Sequence, residues 1–476
     1  MNVHHALTAV SVLSVLSAGC FDFDALAVAR VCAGDDTPGV TNIYVDPMAT
    51  VAGTNGSRAN PYITLDDALQ KAGFNSGTYA VWLASGRYDA SGWTPKDSAV
   101  DRLQITGAFD RTTWCHDGTG ARSIIASTSA DGAILALYGT STVTSVDLTS
   151  STAHTGIAVT PSASATGTAL TLSDVHVKMS RAADLVGVEV RSESVVSRPT
   201  ALTVVVSDTT IDVVEAQGNV VGIAYGCDVQ LALARVAISA KTGGAGDAFG
   251  IRAVTCPVLV DTSLHFTLAE TQIVVDGKGS TFGLSSYLFR VGASVSGGVA
   301  AALTARNLVV VANGSGDGGD AVRWNSDSFP VVLVHSTLSY TTDVSLAGGA
   351  PRYALSMSGS IAHFAGDLFV GPRGIELGAA GSGVPSIDDS LLQVLDIDNG
   401  YVVGGVSTVV PASSRPAMAI SLGPTGRLLG TPEKVVKMPG GVCATDPFVG
   451  NKLVAVDIDG QKRPQGIACD IGGDEL

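Results

Sequence analysis

A small residue followed by an aliphatic one returns through the middle of the chain, at Gly156-Ile157, Gly187-Val188, Gly222-Ile223, Gly250-Ile251, Gly283-Leu284, Ala321-Val322, Ala354-Leu355 and Gly374-Ile375. The intervals run from 20 to 38 residues. Two residues beyond each aliphatic position stand Val159, Val190, Tyr225, Ala253, Ser286, Trp324, Met357 and Leu377, and small or charged residues such as Glu189, Arg252 and Arg323 lie between. This alternation predicts a strand with one buried face, once per repeat. A second marker recurs between these strands: Leu172-Ser173-Asp174-x-x-Val177, Val206-Ser207-Asp208-x-x-Ile211, Leu233-Ala234-Arg235-x-x-Ile238 and Leu268-Ala269-Glu270-x-x-Ile273. Each reads as strand, corner, strand.

Units of this length, with short Val/Leu/Thr strands and no helical stretch, cannot bury their own apolar face, and stacking them solves the problem. The expected fold is therefore all-β, a right-handed single-stranded parallel β-helix (β-solenoid). The expected layout is a signal peptide at 1–19, an attachment site and linker at 20–40, an N-terminal cap with the first coils at 41–130, the coils at 131–430 and a disulfide-closed C-terminal cap at 431–476. An open solenoid end exposes strand edges, and residues 64–72 predict a short amphipathic helix that covers one.

Composition narrows the function more than it reveals it. Charged residues make up 15% of the chain against roughly 25% in an ordinary domain, while hydrophobic residues reach 46%. The formal net charge of −15 repels phosphate backbones, so nucleic acid is not an expected partner.

From Ala6 to Gly19 the chain is apolar or small, long enough for a signal-peptide core and too short for a spanning helix. It ends Leu16-Ser17-Ala18-Gly19-Cys20, which resembles the lipobox of bacterial lipoproteins. The resemblance implies export, lipidation of Cys20, and attachment to the outer membrane or cell surface, the membrane being a partner through the lipid alone; without it the protein would be extracellular. Six further cysteines suit an oxidising compartment. Cys227 lies five residues after Gly222 and Cys256 six after Gly250, so stacking predicts a disulfide between adjacent coils. Elimination and proximity then pair Cys32 with Cys115 and Cys443 with Cys469. None of the cysteines stands in a C-x-x-C spacing, and the nearest histidine in sequence is His116, so spacing gives no indication of zinc.

Residues 43–88 contain Ile43-Tyr44-Val45-Asp46, Gly53-Thr54-Asn55-Gly56-Ser57, Asn60-Pro61-Tyr62-Ile63-Thr64-Leu65, Ala68-Leu69 and Val81-Trp82-Leu83-Ala84-Ser85-Gly86-Arg87-Tyr88. This stretch resembles the opening module of secreted right-handed parallel β-helix proteins of the pectate-lyase-like superfamily. At the other end Asp459-Gly460, Arg463-Pro464, Gly466, Cys469-Asp470-Ile471-Gly472 and Glu475 resemble the C-terminal motif of bacterial surface proteins called choice-of-anchor Q, with Gly473-Asp474 departing from its usual small-aromatic pair. Together these motifs imply the fold without an activity.

Enzymes of that superfamily cleave polysaccharides, which requires calcium-holding carboxylates with a base, or paired carboxylates flanking the bond. Neither set is complete in the sequence. Asp388-Asp389 stands without the Gly-His-Gly and Arg-Ile-Lys elements of the hydrolases and reads as a solvated corner. Asp174, Asp208, Arg235 and Glu270 form a line in which Arg235 relieves like charge, and Asp317-Gly318-Gly319-Asp320 and Asp457-Ile458-Asp459-Gly460 are fragments of calcium loops. Arg252 and Arg323 point outward on one sheet, where a glycan would lie, and Trp324 points inward as core. No catalytic residue, metal ligand or cofactor is expected. The expected function is a monomeric, non-catalytic surface protein for interaction or adhesion, contacting polysaccharide or another surface protein. The alternatives are a polysaccharide lyase or glycoside hydrolase of that superfamily, and a purely structural envelope component.

Overall fold

The computed structural model describes residues 31–469 except 34–37, 51–53, 74–76, 92–99, 117–120, 128, 130–131, 161–167, 181–182, 191–201, 227–228, 254–262, 286–299, 316–317, 326–330, 342–351, 359–361, 366, 372, 378–385, 389–390, 394–401, 405–407, 411–442, 445, 449–451 and 464–468. The small-aliphatic repeat builds a nine-stranded parallel sheet that starts at Ala133–Tyr138 and ends at Arg373–Leu377. Ile157, Val188, Ile223, Ile251, Leu284, Val322, Leu355 and Ile375 are direct partners from rung to rung, so the periodicity read along the chain is the register of the sheet.

The other walls come from long bent strands: Thr140–Ser150, Thr168–Ser180, Leu202–Ala216, Val229–Thr242, Ser263–Gly277 and Ala300–Gly314. Each turns at one residue with left-handed backbone, Ser145, Asp174, Asp208, Arg235, Glu270 or Asn307, with φ between 46° and 55°. His335, φ 51°, continues the line between Val331–Val334 and Thr337–Thr341. A single αL residue between two extended legs directs them onto different walls and leaves its own side chain on the outside. The apolar neighbours face in: Leu172, Val206, Leu233 and Leu268 on one leg, and Val177, Ile211, Ile238 and Ile273 on the other, are at most 2% exposed. Each such side chain stabilises the stack by about 1.5–3 kcal/mol. The architecture is the expected right-handed parallel β-helix.

Glycine opens the repeats at 156, 187, 222, 250 and 283 because the walls meet there. A Cβ on Gly222 would lie 2.3 Å from Cγ2 of Ile238 and 2.5 Å from the Gly250 carbonyl oxygen, and one on Gly250 would lie 2.2 Å from Cγ2 of Ile273. Trp324 is fully buried with its ring 5.2 Å from Phe266, as core.

At the N-terminal end, helix Leu65–Gly73 buries Leu65, Ala68, Leu69 and Ala72 against the first strands. Thr64 caps it: its Oγ1 accepts from the Asp67 amide at 3.2 Å and donates to the Asp67 carboxylate at 2.6 Å. Cys32 is joined to Cys115, tying two short antiparallel strands over an outer cluster of Tyr44, Trp82, Phe109 and Trp114. Cys443 is joined to Cys469. The expected Cys227–Cys256 pair lies outside the described residues, and the sheet in front of it pairs Tyr225 with Ala253. Residues 1–30, with the signal segment and Cys20, lie outside them too. Among the described residues no helix is long and apolar enough to cross a membrane.

Candidate functional site

The bent strands end in a second polar line, parallel to the rod axis. Lys241, Asp276, Asn313 and Thr341 are direct partners on four successive rungs, with Lys241, Asp276 and Thr341 exposed. Beside them runs a lower row, Thr242, Gly277 and Gly314, all buried. These residues, with Gly243, Gly244, Lys278 and Ser315 at the turns, line an open groove of about 1260 Å³. The floor is low because it cannot rise: a Cβ on Gly314 would meet the Tyr340 hydroxyl at 2.2 Å. Gly243 has nothing within 4 Å of the place a Cβ would occupy and a backbone that any residue adopts, so it marks the open lip. The Thr341 hydroxyl donates to Oδ1 of Asn313, which orients that amide across the rungs.

The groove thus offers ammonium, carboxylate, amide and hydroxyl groups roughly every 4.8 Å along the axis. Its described lining holds one carboxylate, Asp276, beside two lysines. Sequence reading missed the site. The signal lay in the strand-end tripeptides Lys241-Thr242-Gly243, Asp276-Gly277-Lys278 and Asn313-Gly314-Ser315, where a polar residue, a small one and a turn residue recur in phase.

The residues singled out in the sequence lie elsewhere. Arg252 and Arg323 are half-buried on the outer face of the nine-stranded sheet, two rungs apart with Ser285 between. Each covers a phenyl ring, Arg252 over Phe249 at 4.2 Å and Arg323 over Phe282 at 4.6 Å, and the two rings stack at 5.4 Å. Desolvation pulls the Arg252 guanidinium below its usual pKa, and Asp247 partly offsets this. Arg323 also donates from Nε to Asp320 at 2.6 Å. The other oxygen of Asp320 accepts from the Tyr353 amide at 2.9 Å, which accounts for both oxygens of one carboxylate in the calcium-loop fragment; Asp317 is outside the described residues.

The corner line is an ion-pair ladder. Arg122 bonds Asp147 at 2.5 Å and Asp174 at 2.7 Å, Arg235 grips Asp208 with two nitrogens at 2.5 and 2.7 Å, and Arg306 joins Glu270 at 3.0 Å and also Asp446. Burial pushes the Glu270 carboxyl above its usual pKa, with Arg306 opposing. Here the described part of the C-terminal segment packs on the flank of the rod: Asn307 donates to the Val456 carbonyl at 2.7 Å, and the Ala444 amide donates to His335 at 2.9 Å. Asp457 accepts through one oxygen from the amides of Asp459 and Gln461 at 3.0 and 2.8 Å, as a turn residue does. Asp388 ends a strand between partners Ala365 and Gly404, and Asp389 is outside the described residues.

No protein-family model matches the sequence, and no curated protein matches it. Among solved structures the chain is similar to pectate lyase Pel9A, at 12% identity over 91% of this chain and 96% of that one, with a TM-score of 0.41. It is also similar to GH136 lacto-N-biosidase from Eubacterium ramulus, at 12% identity over 78% and 68% of the two chains with a TM-score of 0.39, and to XylC in complex with xylose, at 8% over 92% and 98% with a TM-score of 0.37.

Proposed function

We propose that this chain is an exported, lipid-anchored β-helix that binds a glycan along its axial groove and leaves it intact. The observation that carries the reading is the in-register row Lys241, Asp276, Asn313 and Thr341 above the glycine floor. In an extended polysaccharide each sugar advances by a distance close to the spacing of parallel rungs, so neighbouring sugars meet neighbouring side chains. The mixed hydroxyl, amide and charged lining suits a ligand rich in hydroxyl groups. Arg252 and Arg323, capping Phe249 and Phe282, serve the sheet face as packing. Anchoring rests on the lipobox-like stretch ending at Cys20 and assigns the protein to the outer membrane or cell surface, as a monomer.

The test uses the purified chain against a panel of polysaccharides, with calorimetric titration and analysis of products. Saturable binding without released sugars, lost in Gly243→Phe at unchanged melting temperature, is the expected result. Release of shortened or unsaturated sugars would replace this reading with the lyase or hydrolase one, and binding untouched by Gly243→Phe would move the ligand off the groove. Incorporation of labelled fatty acid, abolished in Cys20→Ala, tests the anchor.

A further inference from the structure

Away from the groove, the side chains best suited to a second kind of chemistry gather where the C-terminal segment meets the corner ladder. His335 is fully buried; its Nε2 accepts from the Ala444 amide at 2.9 Å and its Nδ1 lies 3.0 Å from Nη1 of Arg463. Ala444 directly follows Cys443, so the amide that reaches the imidazole belongs to the chain of the Cys443–Cys469 disulfide. One nitrogen of His335 and the two sulfurs lie within 4.8 Å of one another, and all three residues are buried. Spacing in the sequence gave no hint of this, since 108 residues separate His335 from Cys443.

We propose that His335, Cys443 and Cys469 form a binding site for a borderline-soft divalent cation of the zinc class once the disulfide is reduced. Two thiolates and an imidazole are a donor set that Zn²⁺ favours, and bonds of about 2.0–2.3 Å place tetrahedral ligand atoms roughly 3.5 Å apart. On reduction the two sulfurs, now bonded, move apart to that separation, and the imidazole nitrogen, within 4.8 Å of both, closes by little more than an ångström. A dithiol reductant supplies two electrons and two protons: the S–S bond breaks, both cysteines become thiols, and the reductant leaves as its own disulfide. Zn²⁺ then displaces the two thiol protons to solvent and binds two thiolates and the neutral imidazole, leaving a fourth position for water. A neutral imidazole carries one lone pair, which here accepts from the Ala444 amide at Nε2; to ligate, the ring gives up that amide, while the Arg463 guanidinium stays beside Nδ1. The two closures differ in what they join. The disulfide ties the C-terminal segment to itself, whereas the metal would tie it to the coil.

The full chain is reduced with a dithiol, freed of it without oxygen, and titrated with Co²⁺. One equivalent should bind with thiolate-to-cobalt charge-transfer absorption and tetrahedral d–d bands, while the oxidised chain takes up none in this form. His335→Gln, which keeps an acceptor for the Ala444 amide and leaves every cysteine in place, should weaken binding by about tenfold or more. Cys469→Ser should lose a thiolate band in the same titration, and the melting temperature of each variant checks that it is folded. Failure of the reduced chain to bind Co²⁺, or equal affinity and band intensity in both variants, would overturn the site. Glycan titrations run separately on the oxidised chain, so this result and the groove reading stand or fall apart.

Discussion

Replacing Gly222 by alanine tests whether the repeat glycines are there for space. The added Cβ would sit 2.3 Å from Cγ2 of Ile238, where carbon atoms want roughly 3.5–4.0 Å, so one wall must move by more than an ångström. Ile238 is 2% exposed, and the second clash, 2.5 Å to the Gly250 carbonyl oxygen, is with the backbone of the next rung. Overpacking of this kind costs about 1–3 kcal/mol, and the backbone clash argues for the upper end. Gly243→Ala is the control, because its Cβ meets nothing within 4 Å and its loss of unfolded-state freedom adds up to about 1 kcal/mol of stability. Urea denaturation followed by circular dichroism compares the two midpoints. Ile238→Ala combined with Gly222→Ala should recover part of the loss beyond additivity. If Gly222→Ala proved as harmless as Gly243→Ala, the claim that close wall contact selects glycine would be wrong.

Three further outcomes follow from particular contacts. Glu270 has its folded-state pKa raised above the ordinary 4.5, first by burial, so stability present at low pH is lost as pH climbs through 4.5 towards the folded value. Relative to wild type, Glu270→Gln should therefore gain thermal stability across that climb, and a difference that stays flat with pH would refute it. The Tyr88 hydroxyl, buried between the carbonyls of Val45 at 2.9 Å and Ala84 at 2.7 Å, has its ionisation suppressed by desolvation; Tyr88→Phe should cost about 1–2 kcal/mol in a denaturant titration. At Arg235, φ 54°, glycine should be tolerated, because its relief of left-handed strain offsets an exposed ion pair worth under about 1 kcal/mol, whereas valine should lower the melting temperature.

Much of the fold was legible because a stacked coil writes its register into the chain. Ile223 and Ile251 are 28 residues apart and touch, and the corner residues Asp208 and Arg235 pair as their spacing implied. The alternation also placed Trp324 inside and Arg252 and Arg323 outside. It left unread that Phe249 and Phe282 lie beneath those guanidinium groups, in an outward apolar row of Val186, Val221, Phe249 and Phe282 that precedes the repeat glycines in register. The groove escaped as well: Lys241, Asp276 and Asn313 differ in charge and size, and only their shared position after an apolar leg makes them one row. The meeting of His335 with Cys443 and Cys469 was beyond reach, since nothing local records where a terminal segment folds back.

The outward-turning bend between the legs has a consequence of its own. Ser145, Asp174, Asp208, Arg235, Glu270, Asn307 and His335 share one backbone shape while differing in charge, length and polarity. Where that edge meets solvent, at Asp208 and Arg235, it behaves as a rack of interchangeable pegs, whose chemistry can be rewritten one rung at a time while the hydrophobic interior keeps its shape.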